Sequence, residues 1–463
     1  MTVGSEVLGS SYRDPSAFVY LRDGVLLRQV NQAHREAFDR FVGSGLYGKL
    51  VDEGLLVAHE EVDVALAAAP GAYRVLQPET VPFVSYPYEW CFSQLRDAAL
   101  TTLRIQEIAM SCGMSLRDAS AFNVTFRDGT PIFIDTTSFE VLVEGRPWVA
   151  YRQFCEHFLA PLALMAYRDP RLGQLLRVQL DGIPLDLATE LLPRKATARP
   201  SLLMHLRMHA KSQKRHERDG AKRSDAAPAR FSAKAFQGLI DSLRNAIAGL
   251  PAPSADTTWG SYYEDDASHY SEAAADAKAR MVTEAIQAAQ PPSVWDLGAN
   301  TGRFARIASS LGIATLALDL DTAAVETAYL DALARGDRYL LPLVMDLANP
   351  SPGIGWANRE RMTLEERGPA GLVLALALMH HLAIGRNVPL GKVIEQFARL
   401  GEWALVEWVP KGDPRVEQLL AGREDVFADY TEEAFTAAAE QAFTIVRRDP
   451  IPGTDRILFL LRR

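Results

Sequence analysis

The chain has 463 residues, 48% hydrophobic and 23% charged. That is material for two to four folded domains at roughly 100–200 residues each, and the composition excludes a disordered chain. Lysine and arginine number 49 against 58 acids, a net charge of −9, which argues against non-specific binding to a nucleic-acid backbone. Cys91, Cys112 and Cys155 are too few and too scattered for a disulfide framework or a CxxC metal site. The longest strongly apolar stretch, 371–379, is far short of the roughly 20 residues a membrane span requires. The N-terminal run MTVGSEVLGSSYRDP carries an acid and lacks the apolar core of a secretory signal. A cytoplasmic protein without a membrane span is expected, and no repeat of fixed period is present.

Residues 1–206 read as an α+β domain. Strands are predicted near Tyr73–Leu76 and Val81–Ser85. The hinge-like turn Pro87-Tyr-Glu-Trp90 follows, then a helix with Phe92, Leu95, Ala99 and Leu103 on its apolar face. Lys49, the only lysine before Asp118, falls in a predicted helix. Ser115-Leu-Arg-Asp-Ala-Ser-Ala-Phe-Asn123 and Pro131-Ile-Phe-Ile-Asp135 supply an acid, an amide five positions on, and a second acid after a strand. Such a trio can hold a metal-bound phosphate and a substrate hydroxyl. The same residues also read as an Asp–Asn turn capping a β-hairpin around Arg127-Asp128-Gly129.

This segment resembles the catalytic and metal-binding loops of protein-kinase-like folds. The resemblance implies that Asp118 would orient an acceptor hydroxyl and that Asn123 and Asp135 would hold the magnesium of Mg-ATP. Leu116 stands in place of the usual histidine, Thr136-Thr137 in place of Phe-Gly, and no glycine-rich loop is evident. These departures favour a degenerate binding or docking domain over a second enzyme.

From Arg207 to Arg230 there are eight Lys/Arg against three acids and almost no large apolar residue. This stretch reads as a basic linker, since it cannot bury enough surface to offset its ordering entropy. The second domain is then 231–463, with a helical lid at 231–290. Leu250-Pro-Ala-Pro-Ser-Ala-Asp-Thr-Thr reads as a loop. The aromatic and acidic run Trp259–Tyr270 suits a lid, or else a surface loop packed on the sheet.

Next comes Pro292-Ser-Val-Trp-Asp-Leu-Gly-Ala-Asn-Thr-Gly302. A short apolar strand ends in Asp296; Gly298 and Gly302 follow, and then a helix carrying Phe304, Ile307 and Leu311 on one face. Glycine here lets the backbone turn sharply and a ligand approach the main chain, so that a nucleoside can sit beyond the strand's carboxyl end. Thr315–Asp319 is a second strand ending in an acid, placed to accept both hydroxyls of a ribose. A helix with Val325, Ala328, Tyr329, Ala332 and Leu333 is stopped by Gly336. A third strand, Tyr339–Asp346, again ends in an acid, and 371–379 reads as a buried strand running into His380-His381. Val393, Ile394, Phe397 and Leu400 mark a helix and Trp403–Trp408 a strand. Phe443–Val446 and Arg456–Leu461 form a closing hairpin. The alternation implies a doubly wound, mostly parallel sheet.

Asp296-Leu-Gly-Ala-Asn-Thr-Gly302 resembles the first motif of class I S-adenosylmethionine-dependent methyltransferases, whose seven-stranded sheet typically ends in such a hairpin. The resemblance, over about 170 residues from Pro292 on, implies that Asp296, Gly298, Ala299, Asn300 and Gly302 line the methionine part of the donor. Asp319 with Leu320 would hold the ribose side, and Asp346 with Leu347 the adenine. Asn300 stands where many members have glycine, tolerable because Asn accepts left-handed backbone angles; Gly371 stands where an acid often opens the fourth strand. The whole chain further resembles a bacterial family of two-part methyltransferase-like proteins, some of them labelled nodulation proteins, through Ser85–Trp90, Ala150–Phe154 and Val406–Pro414.

For catalysis His380 and His381 are candidate bases, since histidine titrates near pH 6.5, and Glu407 is a third candidate. A nucleophilic acceptor would need positioning more than a base. The leading expectation is a methyltransferase whose N-terminal half selects or presents a small-molecule or saccharide acceptor, with no metal required. The lack of an Asp/Asn-Pro-Pro-Tyr motif argues against base-amino methylation of nucleic acid. Mg-ATP-dependent phosphoryl transfer by the N-terminal half and a non-catalytic S-adenosylmethionine sensor are the alternatives.

Overall fold

The strands of the first half are rich in β-branched and aromatic residues and only partly buried, as in AFVYLR and VLLRQVN, which suits an antiparallel sheet with one face on a core. The computed structural model describes residues 4–197, 199–208, 232–253, 272–422 and 424–463. It divides into two compact units, Met1–Pro253 with Gly353–Arg361, and Ser254–Pro352 with Met362–Arg463.

In the first unit, strands β1 (Ser5–Val7), β2 (Ala17–Arg22), β3 (Val25–Asn31), β4 (His59–Val62) and β5 (Ala72–Pro78) form an antiparallel sheet of order β1-β2-β3-β5-β4. Helices α1 (Arg35–Gly43) and α2 (Leu46–Asp52) lie between β3 and β4 in sequence, and α2 carries Lys49. Strand β5 spans the first strand expected there, but Val81–Ser85 lies outside any strand and bends at Pro82. Pro82 has no N–H to donate, and the Ser85 N–H bonds instead to the Thr125 hydroxyl at 3.1 Å. Helix α3 (Phe92–Ser111) buries Phe92, Leu95, Ala99 and Leu103. After it come β6 (Met114–Leu116), β7 (Val124–Arg127), β8 (Thr130–Phe133) and β9 (Phe139–Val141), paired β6 with β9 and β7 with β8, the latter a hairpin turning at Asp128-Gly129.

Helix α4 (Ala233–Ala248) belongs to this first unit, beyond the expected boundary at 231. Its Arg244 pairs with Glu107 on α3, and its Ser242 hydroxyl lies 2.9 Å from Nε2 of the buried His205. The nine residues Gly353–Arg361 also belong here. Glu360, itself buried, accepts from the Tyr12 hydroxyl at 2.7 Å and from Arg13 Nη2 at 2.6 Å, while the Arg361 guanidinium lies 4.2 Å from the centre of the Phe122 ring. Most of the basic linker, and all of the Trp259–Tyr270 run, lie outside the described residues.

In the second unit, α5 (Glu272–Ala289) leads into β10 (Ser293–Leu297), α6 (Ala305–Ser310), β11 (Ala314–Asp319), α7 (Thr322–Arg335), β12 (Leu340–Val344), β13 (Ala370–Ala375), α8 (Leu390–Leu400), β14 (Gly401–Trp408), β15 (Thr444–Pro450) and β16 (Ile457–Arg462). The sheet order is β12-β11-β10-β13-β14-β16-β15, parallel except where β16 pairs antiparallel with β14 and β15. Val282, Ala285 and Ile286 of α5 pack with Val294, Leu372, Leu374, Leu405 and Leu460 in one buried cluster. The apolar run 371–379 is only partly strand. β13 ends at Ala375 and the chain turns through Ala377 at φ 51°, so His380 and His381 stand on a helical turn beyond the strand end.

Candidate active site

The residues that close β10, β11 and β12 come together at the carboxyl edge of the second unit's sheet, the usual ligand side of an open α/β sheet. After Asp296 the chain turns through Gly298 at φ 73°, Asn300 at φ 50° and Gly302 at φ 78°. Asn300 takes the left-handed angle expected of it. At Gly298 a Cβ would stand 3.1 Å from the Leu378 side chain in a backbone region that side chains disfavour.

Asp319 organises this turn. Its Oδ2 accepts the Asn300 N–H at 2.7 Å and its Oδ1 accepts the Asp321 N–H at 2.8 Å. The Leu320 N–H also acts on this carboxylate. Burial, partly offset by these N–H groups, raises the Asp319 pKa above the ordinary carboxylate value. Leu320 beside it is 51% exposed, an apolar surface at the rim of the site. Asp321 caps α7 by accepting the Ala323 N–H at 2.8 Å. Asp346 accepts the Ala348 N–H at 2.9 Å and faces Arg386 at 3.5 Å, with Leu347 half-buried after it.

Asp296 is buried, and its Oδ2 has no hydrogen-bond partner among the described residues. Burial pushes its pKa up to about 7, against the pull of Lys278 and the Ala305 N–H. An orphaned carboxylate oxygen before a glycine turn, an acid held at the end of the next strand and an exposed leucine beside it fit an adenosyl ligand that carries an ammonium group. The residues present match the methyl donor implied by the sequence.

The three catalytic candidates receive different places. Glu407 has no exposed surface; its Oε2 lies 2.5 Å from Lys278 Nζ and its Oε1 3.1 Å from Arg456 Nη1. It is sealed in an ion-pair chain, away from any substrate. His380 is equally sealed, with both ring nitrogens lacking a partner among the described residues and its pKa driven well below 6.5 by burial. His381 is half-buried, 4.2 Å from the His380 ring, with a pKa lowered to about 4 by burial and then by Arg415 and Arg456. It is neutral at pH 7 and so able to accept a proton.

The trio in the first unit also comes together, but on partners of its own. Asp135 is paired with Arg28 of β3, and accepts from the Thr137 N–H at 3.0 Å, the Thr137 hydroxyl at 2.8 Å and the Ser138 hydroxyl at 2.6 Å. Burial opposes these contacts, yet Arg28 and the hydrogen bonds prevail and hold its pKa down at about 2. Asn123 donates to the Ser138 hydroxyl at 3.2 Å. Asp118 accepts the Ser120 N–H at 3.0 Å and Gln153 Nε2 at 2.8 Å, while burial raises its pKa. Among the described residues no group of three or more His, Cys, Asp or Glu is arranged to hold a metal ion, and no helix is long and apolar enough to cross a membrane.

Two charged residues to which the sequence assigns no role take part in these contacts. Arg28 is the one cation within strand β3, VLLRQVN, a signal available in the sequence. Lys278 and Glu407 meet across many residues of chain, and only the fold reveals the pair.

Taken together, the sheet order, the left-handed glycine turn after β10 and the acid that closes β11 give the second unit the arrangement expected from the resemblance to class I S-adenosylmethionine-dependent methyltransferases. No family model matches the chain. It is 34% identical over 461 residues to the nodulation protein NoeA of Rhizobium meliloti strain 1021, covering 98% of this chain and 96% of that one, and it belongs to the NoeA family. Similar solved structures include crystalline WbdD, at 15% identity over 40% of this chain and 39% of that one, with a TM-score of 0.30. Another is the magnesium protoporphyrin IX methyltransferase ChlM of Synechocystis PCC 6803 with S-adenosylmethionine bound. There the identity is 17%, the coverage 40% of this chain and 80% of that one, and the TM-score 0.29.

Proposed function

We propose that the chain transfers the methyl group of S-adenosylmethionine to a small-molecule or saccharide acceptor, and that its first unit, kinase-like in fold, selects or presents that acceptor. The observation that carries the reading is Asp319, bonded to the turn at Asn300 and to the N–H of Asp321 at the carboxyl end of β11, where a ribose would meet it. Asp296 with Gly298, Ala299, Asn300 and Gly302 would hold the methionine part, Asp319 and Leu320 the ribose side, and Asp346 and Leu347 the adenine. When bound, the donor supplies a methyl group activated by its sulfonium. The protein's work is to fix the acceptor in line with it, and His381 is the group suited to receive the acceptor's proton. A hollow of about 610 Å³ lined by Gly385, Arg386, Asn387, Glu424, Val426 and Phe427 supports a small polar acceptor.

For the first unit, support for a kinase-like fold comes from the sheet order β1-β2-β3-β5-β4, with two helices between its third and fourth strands in sequence. The Arg28–Asp135 pair favours docking over Mg-ATP chemistry, because the carboxylate that would meet magnesium is already neutralised by a half-buried guanidinium.

Calorimetric titration of S-adenosylmethionine tests the reading. We expect wild type to bind and Asp319→Ala to lose about tenfold to a hundredfold in affinity, the scale of one or two hydrogen bonds to a charged group. His381→Ala should keep donor affinity and lose at least about a hundredfold in turnover. No binding by wild type would overturn the methyltransferase reading. Mg-ATP binding abolished by Asp135→Ala would favour phosphoryl transfer, and tight donor binding without turnover on any acceptor class would favour a sensor.

A further inference from the structure

Gly353–Arg361 belongs to the first unit, although the residues on either side of it belong to the second. The segment is a small hairpin of its own. Ile354 bridges to Arg361, the Glu360 N–H donates to the Ile354 carbonyl at 2.9 Å, and the Asn358 N–H donates to the Gly355 carbonyl at 3.0 Å. Ala357 and Asn358 turn it through left-handed angles, φ 53° and φ 58°. Among the described residues its backbone hydrogen bonds stay within the segment, so side chains attach it to the rest of the unit. A hairpin satisfied internally can lift without leaving backbone groups unpaired.

Three contacts hold it down. The Glu360 carboxylate accepts from the Tyr12 hydroxyl and from Arg13, both in the loop between β1 and β2. In the same loop Gly9 lies so close that a Cβ there would run into the Arg359 carbonyl oxygen. The Arg361 guanidinium covers the ring of Phe122, which stands next to Asn123 and two residues after Ser120, whose N–H bonds Asp118 Oδ1 at 3.0 Å. The loop also reaches the other neighbour of Asp118, because Asp14 pairs with Arg117 at 2.5 Å. The closed position is not saturated. The buried Nε of Arg361 has no hydrogen-bond partner among the described residues, which disfavours closure, and water would meet it once the hairpin lifts. A segment built only to complete a core would bury its largest side chain, yet Trp356 is 72% exposed.

We propose that Gly353–Arg361 is a strap over the candidate site of the first unit: Glu360 latches it to the loop between β1 and β2, Arg361 seats it on Phe122, and a ligand reaches Asp118 and Asn123 when it lifts. The inference takes from the proposed function only that the first unit receives a ligand. The latch is small, and the Arg13 side chain on its outer side is 58% exposed, so little has to be broken for the strap to open.

Two readouts on the full chain under native conditions test the strap. Trypsin cleavage after Arg361 reads its lifting, and carbodiimide labelling of the Asp118 carboxyl, followed by mass spectrometry, reads access. Wild type should be cut and labelled slowly. Gly9→Ala pushes the Arg359 backbone away without touching a charge. It should speed both reactions by at least about tenfold, because cleavage of a transiently opened state tracks its population. Glu360→Gln weakens the latch and should speed both by roughly fivefold. Amide exchange in α3 should stay as in wild type in both variants, since only a local opening is involved. Cleavage and labelling unchanged in both variants overturn the latch, and faster cleavage with unchanged labelling overturns the cover over Asp118. Loss of α3 protection together with the strap would make the hairpin a fixed part of the fold, and the proposal falls. Should Gly9→Ala fail to fold, Glu360→Gln decides. Neither readout uses S-adenosylmethionine, so failure of the donor to bind leaves the strap standing, and failure of the strap leaves the donor site standing.

Discussion

Each unit of the molecule carries a set of buried acids beyond the ends of its strands, and the two sets are finished differently. In the first unit Asp135 is surrounded by a guanidinium, two hydroxyls and a backbone N–H, all supplied by the protein. In the second, Asp296 has an oxygen without a hydrogen-bond partner among the described residues, and Asp319 is met by backbone N–H groups alone, with no cation or hydroxyl beside it among the groups that act on its charge. A carboxylate saturated by its own chain stabilises a fold. One left short of donors is stable only at a cost that a ligand can relieve. The contrast separates acids of similar sequence context more sharply than any motif does.

The largest effect should come from breaking the saturated set. Arg28→Ala leaves Asp135 buried without its cation and should destabilise the first unit by about 3–5 kcal/mol, read by chemical denaturation, with S-adenosylmethionine binding unchanged. If the variant instead stays stable and gains Mg-ATP binding, the first unit is a nucleotide site held shut by one arginine.

A medium effect distinguishes the units by the sign of their pH dependence. The Asp135 pKa is depressed to about 2, so its contribution is present above the unfolded carboxylate value and is lost as pH falls toward 2. The Asp296 pKa is raised to about 7, so stability is fullest below the unfolded value and declines as pH rises through 7. Thermal unfolding of the ligand-free protein should therefore show one acid-labile and one alkali-labile component. Asp135→Asn should flatten the first and Asp296→Asn the second, and an unchanged profile in either variant would remove that acid from the comparison.

The smallest effect concerns the nine residues that return to the first unit. Glu360→Gln keeps the shape but removes the charge that Tyr12 and Arg13 address. Because the Arg13 side chain is 58% exposed, the loss should be about 1 kcal/mol by denaturation. A loss several times larger would mean that this segment supports far more of the first unit than its bonds suggest.

The second unit was the more legible of the two in the sequence. Strands of unbroken apolar character ending in acids, and helices with apolar faces, follow from local pattern, and the glycine turn from the geometry it must allow. His380 and His381 were legible as residues but not as places, because the apolar run before them continues past the strand into a turn at Ala377. In the first unit Asp118, Asn123 and Asp135 were visible, whereas the charge that answers Asp135 was not. Lys49 lies in α2, and the cation that answers Asp135 is Arg28 of β3, whose pairing joins residues 107 positions apart. Long-range pairs such as Lys278 with Glu407 leave no local periodicity, and no pattern along the chain announces them.

The return of Gly353–Arg361 to the first unit bears on how the protein is made. Ribosomes deliver residues in order, and the two side chains that anchor this segment, Glu360 and Arg361, emerge only after the strands β10, β11 and β12 of the other unit. The unit that begins the chain is thus among the last to be completed, and a fragment cut at residue 253 would lack the carboxylate that Tyr12 and Arg13 are built to meet.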